Sequence, residues 1–261
     1  LLLALDLPTH YQFWVCENLG DAQERVQCLP IAAVLHQTFA PLNVVVLLRE
    51  TEFADRDAPL PNLEALPMFG LPDGSFLSFS DRPGLMTKRE VRILILGELA
   101  LSPGQIIWDV GAGTGSVSIE IARLFPTSTV YAIEKTAAGT TLIEQNSQRF
   151  QVKNVISIHG NAPEILYRLP TPHRIFIGGS GGNLSKILSF CGANLAPGGT
   201  IVLALATVEH LNIAQKWASD RQWNYHLLQV QLSRSVSIAQ LTRFSPLNPI
   251  TIFTATRQNK F

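Results

Sequence analysis

The sequence predicts an α/β fold with a seven-stranded, mostly parallel β-sheet, and three observations support this class. From about residue 68 onward, short runs rich in β-branched residues alternate with helix-length segments, which is typical of a parallel sheet covered by helices on both faces. After Asp220 the alternation stops, and two strand candidates follow with no helix between them. Hydrophobic residues make up 46% of the 261 residues and charged residues 15%, as in a globular α/β enzyme. The last two strand candidates could pair antiparallel at one end of the sheet.

The predicted elements of this region follow one another in regular order. A helix over residues 87–99 precedes the first strand. Strands are predicted at 105–110, 129–133, 155–159, 174–177, 200–205, 224–232 and 249–256. Helices are predicted between the first strands at 114–125, 137–150, 162–169, 183–195 and 208–220. Each helix spans at least two turns, which is long enough to cross over a sheet and return to a parallel neighbour.

The first 50 residues have a different character. Strands are predicted at 12–16 and 43–48, with an apolar helix at 31–39 between them. Two strands and one helix are few for an independent core, so we interpret residues 1–50 as the remnant of a truncated domain. The opening LLLAL is interpreted as the tail of a helix, because it is too short for a membrane span and lacks the features of a signal peptide. Residues 51–67, rich in Pro and Asp, are predicted to be a linker to a main domain at 68–261.

Charge and cysteine content exclude several classes of function. Lys and Arg together number 20, as do Asp and Glu, so bulk electrostatics favour neither nucleic acid nor an anionic membrane as a partner. Cys16, Cys28 and Cys191 show no CxxC spacing, and the six histidines show no metal-ligand spacing. The sequence therefore indicates no metal site and is consistent with a reducing cytoplasm.

The stretch WDVGAGTGS, residues 108–116, follows the first strand of the main region and leads into a helix. A dinucleotide fingerprint would need its third glycine at position 116, which is Ser116; the glycines instead stand at Gly111, Gly113 and Gly115. Glu134 ends the next strand, at the distance expected of a carboxylate that binds ribose hydroxyls. With Asp109 before the loop, this spacing resembles the first motif of S-adenosylmethionine-dependent methyltransferases. The alternatives are an NAD site and a glycine turn that serves only strand–helix geometry.

A second glycine-rich loop, IGGSGG at residues 177–182, also lies between a strand and a helix. It contains the G-x-S-x-G pattern of a hydrolase nucleophile elbow, for which Glu209 or Asp220 and then His226 would complete a triad in sequence order. The preferred interpretation places this loop beside the cofactor at the point where the strand order reverses. There Gly179, Ser180 and Gly181 would leave room for a substrate.

Several motifs together resemble one family. FGLPDGSF, GLMTKREVR, WDVGAGTGSVSIEIAR, VYAIE, GNAPEIL, IFIGGSGG and SRSVSIAQLTRFSPLNPITIF are similar to segments of the decarboxylating precorrin-6Y C-methyltransferases of cobalamin biosynthesis. The likeness runs from about Phe69 to the end. WVCENLGDAQERV and PLNVVVL look like the end of the tetrapyrrole methylase domain that precedes it in the bifunctional carbon-5/carbon-15 enzymes.

The resemblance implies an activity, a cofactor and an assembly. The main domain would have the Rossmann-like class I methyltransferase fold, in which six strands are parallel and a last, antiparallel strand is inserted beside the fifth. It would methylate carbon 15 of a precorrin with S-adenosyl-L-methionine and remove the carboxylate of the acetate on carbon 12. The substrate would be a small-molecule tetrapyrrole, and the chain would form a homo-oligomer, a tetramer in the family. Activity at carbon 5 is not expected, because only the last part of the first domain is present.

Residues carried over by position complete the predicted site. The cofactor contacts would be Thr87, Gly111, Ala112, Gly113, Thr114, Gly115, Glu134, Asn161 and Ala162. Asn161 is a departure, because the family often has Asp there, and the amide lacks that charge. The substrate carboxylates call for cationic partners. The candidates are Lys88, Arg89 and Arg92 before the sheet and Arg234 and Arg243 near the end.

The predicted chemistry needs few protein groups. A reduced tetrapyrrole is electron-rich, so its meso carbon can attack the sulfonium methyl directly once the two are aligned in a dry cleft. We therefore assign no catalytic residue. Two other functions stay open at this point: a methyltransferase of the same fold acting on tRNA or protein, and a non-catalytic cofactor-binding module.

Overall fold

The computed structural model describes residues 11–34, 36–49, 60–79, 85–238 and 240–257. The chain divides into two compact units, Leu1–Ala58 and Pro59–Phe261. The helix tail predicted at the start of the chain and residues 51–59 of the predicted linker lie outside the described residues. Residues 60–67, the rest of that linker, contain neither helix nor strand.

The first unit contains a three-stranded antiparallel sheet with the order β2-β1-β3 among its described residues. Its strands are β1 (Tyr11–Glu17), β2 (Arg25–Leu29) and β3 (Asn43–Arg49), and a short helix α1 (Ile31–Val34) follows β2. Phe13 and Val15 of β1 pack with Val34 of α1 in a small core. The prediction omitted β2, whose RVQCL offers little alternation, and it made the helix too long.

The second unit is built on a sheet of seven strands, counted over the described residues. The strands are β4 (Ile106–Val110), β5 (Thr129–Glu134), β6 (Val155–His159), β7 (Arg174–Ile177), β8 (Thr200–Leu205), β9 (Asn224–Val230) and β12 (Ile250–Thr256). Their order is β6-β5-β4-β7-β8-β12-β9. The helices are α2 (Arg89–Leu99), α3 (Ser116–Leu124), α4 (Ala137–Arg149), α5 (Leu184–Asn194) and α6 (Val208–Asp220).

Pairing within this sheet confirms the predicted topology. The strands β4 to β8 pair with one another in parallel, and β12 pairs antiparallel with both β8 and β9. The strand order reverses between β4 and β7, because β4 is followed along the chain by β5 on one side and lies against β7 on the other. In an open α/β sheet, the carboxyl ends of the strands at such a reversal form the ligand crevice. The two glycine-rich loops follow these two strands.

Apolar side chains of the strands alternate between the two faces of the sheet, and helices cover both faces. Trp108 and Val110 of β4 pack against helix residues such as Ile187 on one face. Ile107, which precedes Trp108, packs with Ile95 of α2 and Ile121 of α3 on the opposite face. Successive side chains of a strand point to opposite faces, so a strand buried on both sides is a continuous apolar run, as the sequence shows here. No helix in the described part of the chain is long and apolar enough to cross a membrane.

Two predicted elements differ from the structure. The segment 162–169 forms only a 3-10 helix, Glu164–Arg168, because Pro163 and Pro170 confine it to a few residues. The segment 233–248, a loop that links the last two predicted strands without a helix, contains an antiparallel hairpin of β10 (Ser233–Ile238) and β11 (Leu241–Pro246). Polar and apolar residues alternate weakly in this hairpin, so its strands are hard to detect in the sequence.

A buried ion-pair network connects the segment before α2 to helices α2 and α3. The Arg92 side chain is fully buried, with its Nε 2.7 Å from Glu120 Oε1 and its Nη1 2.8 Å from Asp73 Oδ1. Glu120 also accepts hydrogen bonds from the backbone nitrogens of Gly70 and Leu71. The Leu71 carbonyl accepts from Arg92 Nη2 as well. Because each of these charged groups has oppositely charged or hydrogen-bonding partners, the charges are tolerated in the interior.

Replacing Arg92 with Met should lower the free energy of unfolding by about 3–5 kcal/mol, because Glu120 is left buried without its cationic partner. Urea denaturation measures this loss. Lys153→Met, at an exposed position, is the control and should change the value by about 0.5 kcal/mol or less. The double variant Arg92→Met, Glu120→Gln should recover part of the loss. Equal stabilities for Arg92→Met and the control would show that the network contributes nothing.

Candidate active site

A cleft of about 370 Å³ opens at the carboxyl ends of the central strands, a size typical of small-molecule sites. It lies where the strand order reverses, between the loop after β4, the end of β5 and the loop after β7. Its lining residues are Phe79, Leu85, Val110, Gly111, Gly113, Ile133, Glu134, Lys135, Thr136, Gly160, Asn161, Ala162, Gly178, Gly179, Ser180, Gly181, Asn183 and Ile187. The cleft is thus built from backbone, apolar side chains and a few polar groups.

Gly111 brings the two glycine-rich loops into direct contact. Its φ of +74° is left-handed, and a Cβ on it would lie 2.6 Å from the backbone nitrogen of Gly179. Its own nitrogen and that of Ala112 donate to the Ile133 carbonyl at 2.9 and 3.0 Å, which ties the loop to the end of β5. Any side chain here would push the loops apart, so their close approach requires glycine.

Gly113 is left-handed too, with φ +58°, but a Cβ on it would meet no atom within 4 Å. The space beside it belongs to the cleft. The loop therefore presents bare backbone to whatever occupies the cleft, and it leads into the N-terminus of α3 after Gly115. A helix N-terminus favours anionic or polar ligand groups.

Among the described residues that line the cleft, Glu134 is the one acidic residue. It is 8% exposed. Its Oε2 accepts a hydrogen bond from the Gly113 nitrogen at 3.1 Å, and its Oε1 accepts from the nitrogen and the hydroxyl of Thr136, each at 2.9 Å. The carboxylate is thereby held in a fixed orientation, with lone pairs left for donors from a ligand.

Asp109 lies behind the glycine loop, outside the cleft. It is fully buried; its Oδ2 accepts from the Ser118 hydroxyl at 2.6 Å, and its Oδ1 has no partner among the described residues. Burial raises the pKa of Asp109 to about 7, which the hydrogen bond from Ser118 only partly offsets. The carboxyl group that the motif places before the loop therefore supports the start of α3 from beneath.

The structure brings most of the sequence-predicted cofactor residues to the cleft. Gly111, Gly113, Glu134, Asn161 and Ala162 line it. Four others do not line it: Thr87, Ala112, Thr114 and Gly115. The Thr114 carbonyl accepts from the Asn146 side chain, and a Cβ on Gly115 would lie 3.2 Å from Ile143 of α4. The position of these two residues supports the loop; a direct contact with the cofactor stays a prediction.

The predicted substrate residues divide in the same way. Gly179, Ser180 and Gly181 line the cleft, whereas Lys88, Arg89, Arg234 and Arg243 are not among its described lining residues. Arg89 Nε donates to the Gly70 carbonyl at 2.6 Å. Arg234 Nη2 lies 2.9 Å from Asp73 Oδ2 and 2.5 Å from Glu90 Oε2, and these hydrogen bonds raise its pKa. Burial opposes the ionisation of Asp73, but Arg92 and Arg234 prevail and lower its pKa.

Sequence reasoning missed several lining residues. Lys135 and Thr136 directly follow Glu134, so the strand end itself was a signal for them. Asn183 and Ile187 begin the helix after the second glycine loop and were within the predicted helix. Phe79 and Leu85 come from the segment before α2; the resemblance placed Thr87 of this segment at the cofactor but named neither of these two apolar residues.

The hydrolase alternative is not supported by the geometry. Ser180 lines the cleft, but His226 does not; its Nε2 lies 2.6 Å from Glu98 Oε2 at the exposed edge strand β9. Glu209 and Asp220 lie on α6 and are also absent from the described lining. No triad is therefore assembled around Ser180.

The fold and the cleft together define a class I methyltransferase: a glycine loop after the first strand of the sheet, a buried acid at the end of the second and an antiparallel seventh strand. Residues 78–257 match the precorrin methyltransferase domain family, and the chain belongs to this family. S-adenosylmethionine as the cofactor follows from this family and fold.

Individual relatives agree with this assignment. A cobalt-precorrin-6B C(15)-methyltransferase (decarboxylating) from Salmonella typhimurium is 36% identical over 174 residues, 66% of this chain and 90% of the relative. A precorrin-6Y C(5,15)-methyltransferase (decarboxylating) from a Sinorhizobium species is 31% identical over 243 residues, 93% of this chain and 55% of the relative. The crystal structure of precorrin-6Y C5,15-methyltransferase from Geobacter metallireducens superposes with a TM-score of 0.70 at 34% identity, covering 74% of this chain and all of that one.

Gly111→Ala should destabilise the protein more than Gly113→Ala. Both substitutions force a left-handed backbone on alanine, at about 1–2 kcal/mol each. Only Gly111→Ala also drives a methyl group into Gly179, which should add about 1–3 kcal/mol of overpacking. Thermal unfolding of the two variants measures the difference, and equal melting temperatures would show that the two loops separate freely.

Proposed function

We propose that this chain transfers a methyl group from S-adenosylmethionine to carbon 15 of a precorrin or cobalt-precorrin and removes the carboxylate from the acetate on carbon 12. The supporting observation is the cleft at the strand reversal, with Gly111, Gly113 and Glu134 on one side and the Gly178–Gly181 backbone on the other. It lies in a chain of the precorrin methyltransferase family, whose relatives carry the name of this reaction.

The cleft suits the cofactor on its own geometry. The open space beside Gly113 admits a ligand against bare backbone, and the Glu134 carboxylate is fixed at the edge of that space. Glu134 would accept hydrogen bonds from the two ribose hydroxyls, and the loop amides would lie along the methionine part. Asn161 and Ala162, after β6, would contact the adenine end of the cofactor. There Asn161 offers an amide in place of the aspartate carboxylate that the family often has. When bound, the cofactor supplies an electrophilic methyl group.

The protein's part in the reaction is orientation and exclusion of water. The lining residues contain no histidine among those described, and Glu134 is engaged by Gly113 and Thr136, so no side chain is placed as a strong general base. Phe79, Leu85 and Ile187 make the walls apolar. The electron-rich macrocycle would attack the methyl carbon while the carbon–sulfur bond breaks and its electron pair stays on the sulfur of the departing S-adenosylhomocysteine. The methylated macrocycle would then accept the electron pair released when the acetate loses carbon dioxide. Alignment in a dry cleft supplies most of the rate.

We also propose that residues 1–50 are the last part of a tetrapyrrole methylase domain, joined by residues 51–67 to the methyltransferase domain at 68–261. The Sinorhizobium relative, named for both carbon 5 and carbon 15, matches over 243 residues, more than the unit Pro59–Phe261 contains. The likeness therefore reaches into the first unit. We assign no carbon-5 activity to this region, because it holds one small sheet and a helix of four residues among its described parts.

We further propose that the chain forms a homo-oligomer, a tetramer as the family resemblance implies, in the cytoplasm. Leu241 and Phe244 on the β10–β11 hairpin are 74% and 73% exposed, and a second copy of the chain would cover them. Cys16, Cys28 and Cys191 are all free thiols, which is consistent with a reducing compartment. Sedimentation velocity measures the assembly, and a monomer at micromolar concentration would contradict it.

The proposed reaction has a distinct mass balance. With S-adenosylmethionine and cobalt-precorrin-6B, the purified chain should yield one product that has gained one methyl group and lost one carbon dioxide. Liquid chromatography with mass spectrometry detects both changes. With S-adenosylmethionine omitted, no methylated product should form. Methylation of tRNA or protein with no transfer to the tetrapyrrole would contradict the proposal.

Glu134→Ala should weaken S-adenosylmethionine binding by about 1–3 kcal/mol, because hydrogen bonds from the ribose to a charged group are lost. Isothermal titration calorimetry measures the affinity. Glu144→Ala, an exposed acid on α4, serves as the control for the change of charge. Equal affinities for Glu134→Ala and Glu144→Ala would rule out the ribose role.

A further inference from the structure

Lys135 is a cation at the cleft that no part of the assignment above uses. Among the described residues that line the cleft, Lys135 is the one lysine, and none is an arginine. It follows Glu134 at the end of β5, where the Gly160 nitrogen donates to the Glu134 carbonyl at 3.0 Å and His159 Nε2 lies 3.2 Å from the Lys135 carbonyl. Its backbone is therefore held by the neighbouring strand β6, so the base of the side chain has a defined position.

The side chain of Lys135 extends toward the second glycine-rich loop. A Cβ on Gly181 would lie 3.4 Å from Lys135 Nζ and 3.6 Å from its Cδ. The aliphatic stem thus passes over a residue that has no side chain of its own, and the ammonium group reaches the loop assigned to the substrate. Glu134, next to it, directs its carboxylate to Gly113 and Thr136 instead.

No acidic partner of Lys135 is found among the described residues, in contrast to the arginines predicted to bind the substrate. Arg234 already contacts two carboxylates, and Arg92 is buried between Glu120 and Asp73. A cation whose charge is matched internally gains little from a further carboxylate, whereas an unmatched ammonium on the wall of a cleft attracts one.

We propose that Lys135 binds a peripheral carboxylate of the tetrapyrrole and thereby sets the position of the macrocycle beside the cofactor. This inference rests on the proposed function, which supplies a substrate with several carboxylates. Lys135 acts on substrate binding and leaves the cofactor affinity to the glycine loop and Glu134. The ammonium group is a flexible point charge, so it selects for a carboxylate at this edge of the ring without imposing the planar geometry of an arginine.

The test compares Lys135→Met with Lys135→Arg and with Lys216→Met, an exposed lysine on α6 outside the described lining. Steady-state methyl transfer to cobalt-precorrin-6B gives KM and kcat, and calorimetry with S-adenosylhomocysteine gives cofactor-site affinity. Lys135→Met should raise KM for the tetrapyrrole roughly three- to tenfold, the range for a charge pair that the bound macrocycle partly shields from water. Lys135→Arg should retain most of the affinity, and Lys216→Met should match the wild type.

Salt provides a second readout. Raising the potassium chloride concentration should increase KM for the wild type and much less for Lys135→Met, because the variant has already lost the screened interaction. An unchanged KM in Lys135→Met, or an equal loss of S-adenosylhomocysteine affinity, would overturn the proposal.

Direct binding separates this inference from the proposed function. Uroporphyrin I, an octacarboxylate porphyrin, is titrated into each variant and followed by its absorbance. If the wild type transfers no methyl group to cobalt-precorrin-6B, the proposed function fails. Weaker porphyrin binding by Lys135→Met than by Lys216→Met would still support the carboxylate site, and equal binding would refute it.

Discussion

The close approach of Gly111 to Gly179 is the constraint on which the rest of the site depends. Two loops that follow neighbouring strands at the strand reversal meet backbone to backbone, with no room for a Cβ on the first of them. Their contact closes one end of the crevice that every open α/β sheet leaves at its reversal point. The loop after β4 is thereby aligned with the acid at the end of β5, which accepts a hydrogen bond from Gly113. Under the proposed function, this alignment positions the residues that bind the cofactor.

Charges beneath and beside the loops support this geometry in two different ways. Asp109 is buried below the glycine loop and holds the first turn of α3 through Ser118, with its pKa raised to about 7 by burial. The Arg92 network binds the segment from Gly70 to Asp73 to the helices α2 and α3. That segment leads toward Phe79 and Leu85, which form part of the cleft wall. The buried polar network thus anchors the chain before α2, which contributes part of the apolar cleft wall.

The internal pairing of charged side chains also bears on substrate recognition. Most arginines near the start of α2 and in the β10–β11 hairpin take part in internal contacts, as Arg89, Arg92 and Arg234 show. Arginine suits such sites because its planar group satisfies several acceptors at once. The charged residues among the described lining of the cleft are one acid and one lysine, and the rest is backbone, apolar side chains and a few neutral polar groups. A site of this kind is suited to positioning reactants and shielding them from water.

The sequence by itself determined the succession of strands and helices along the chain, the glycine loop and its acid, since these depend on local patterns. Alternating apolar runs predict a doubly covered parallel sheet, and glycine spacing with Glu134 predicts the cofactor cleft. Only the tertiary structure decided which groups the charged residues contact. An arginine at a helix start can bind either a ligand or a protein carboxylate that is distant in sequence. Arg234 illustrates this, since Asp73 and Glu90, which it contacts, lie more than 140 residues away. Lys135 shows the converse: its place at the strand end was visible, but its reach to Gly181 depends on how two distant loops pack.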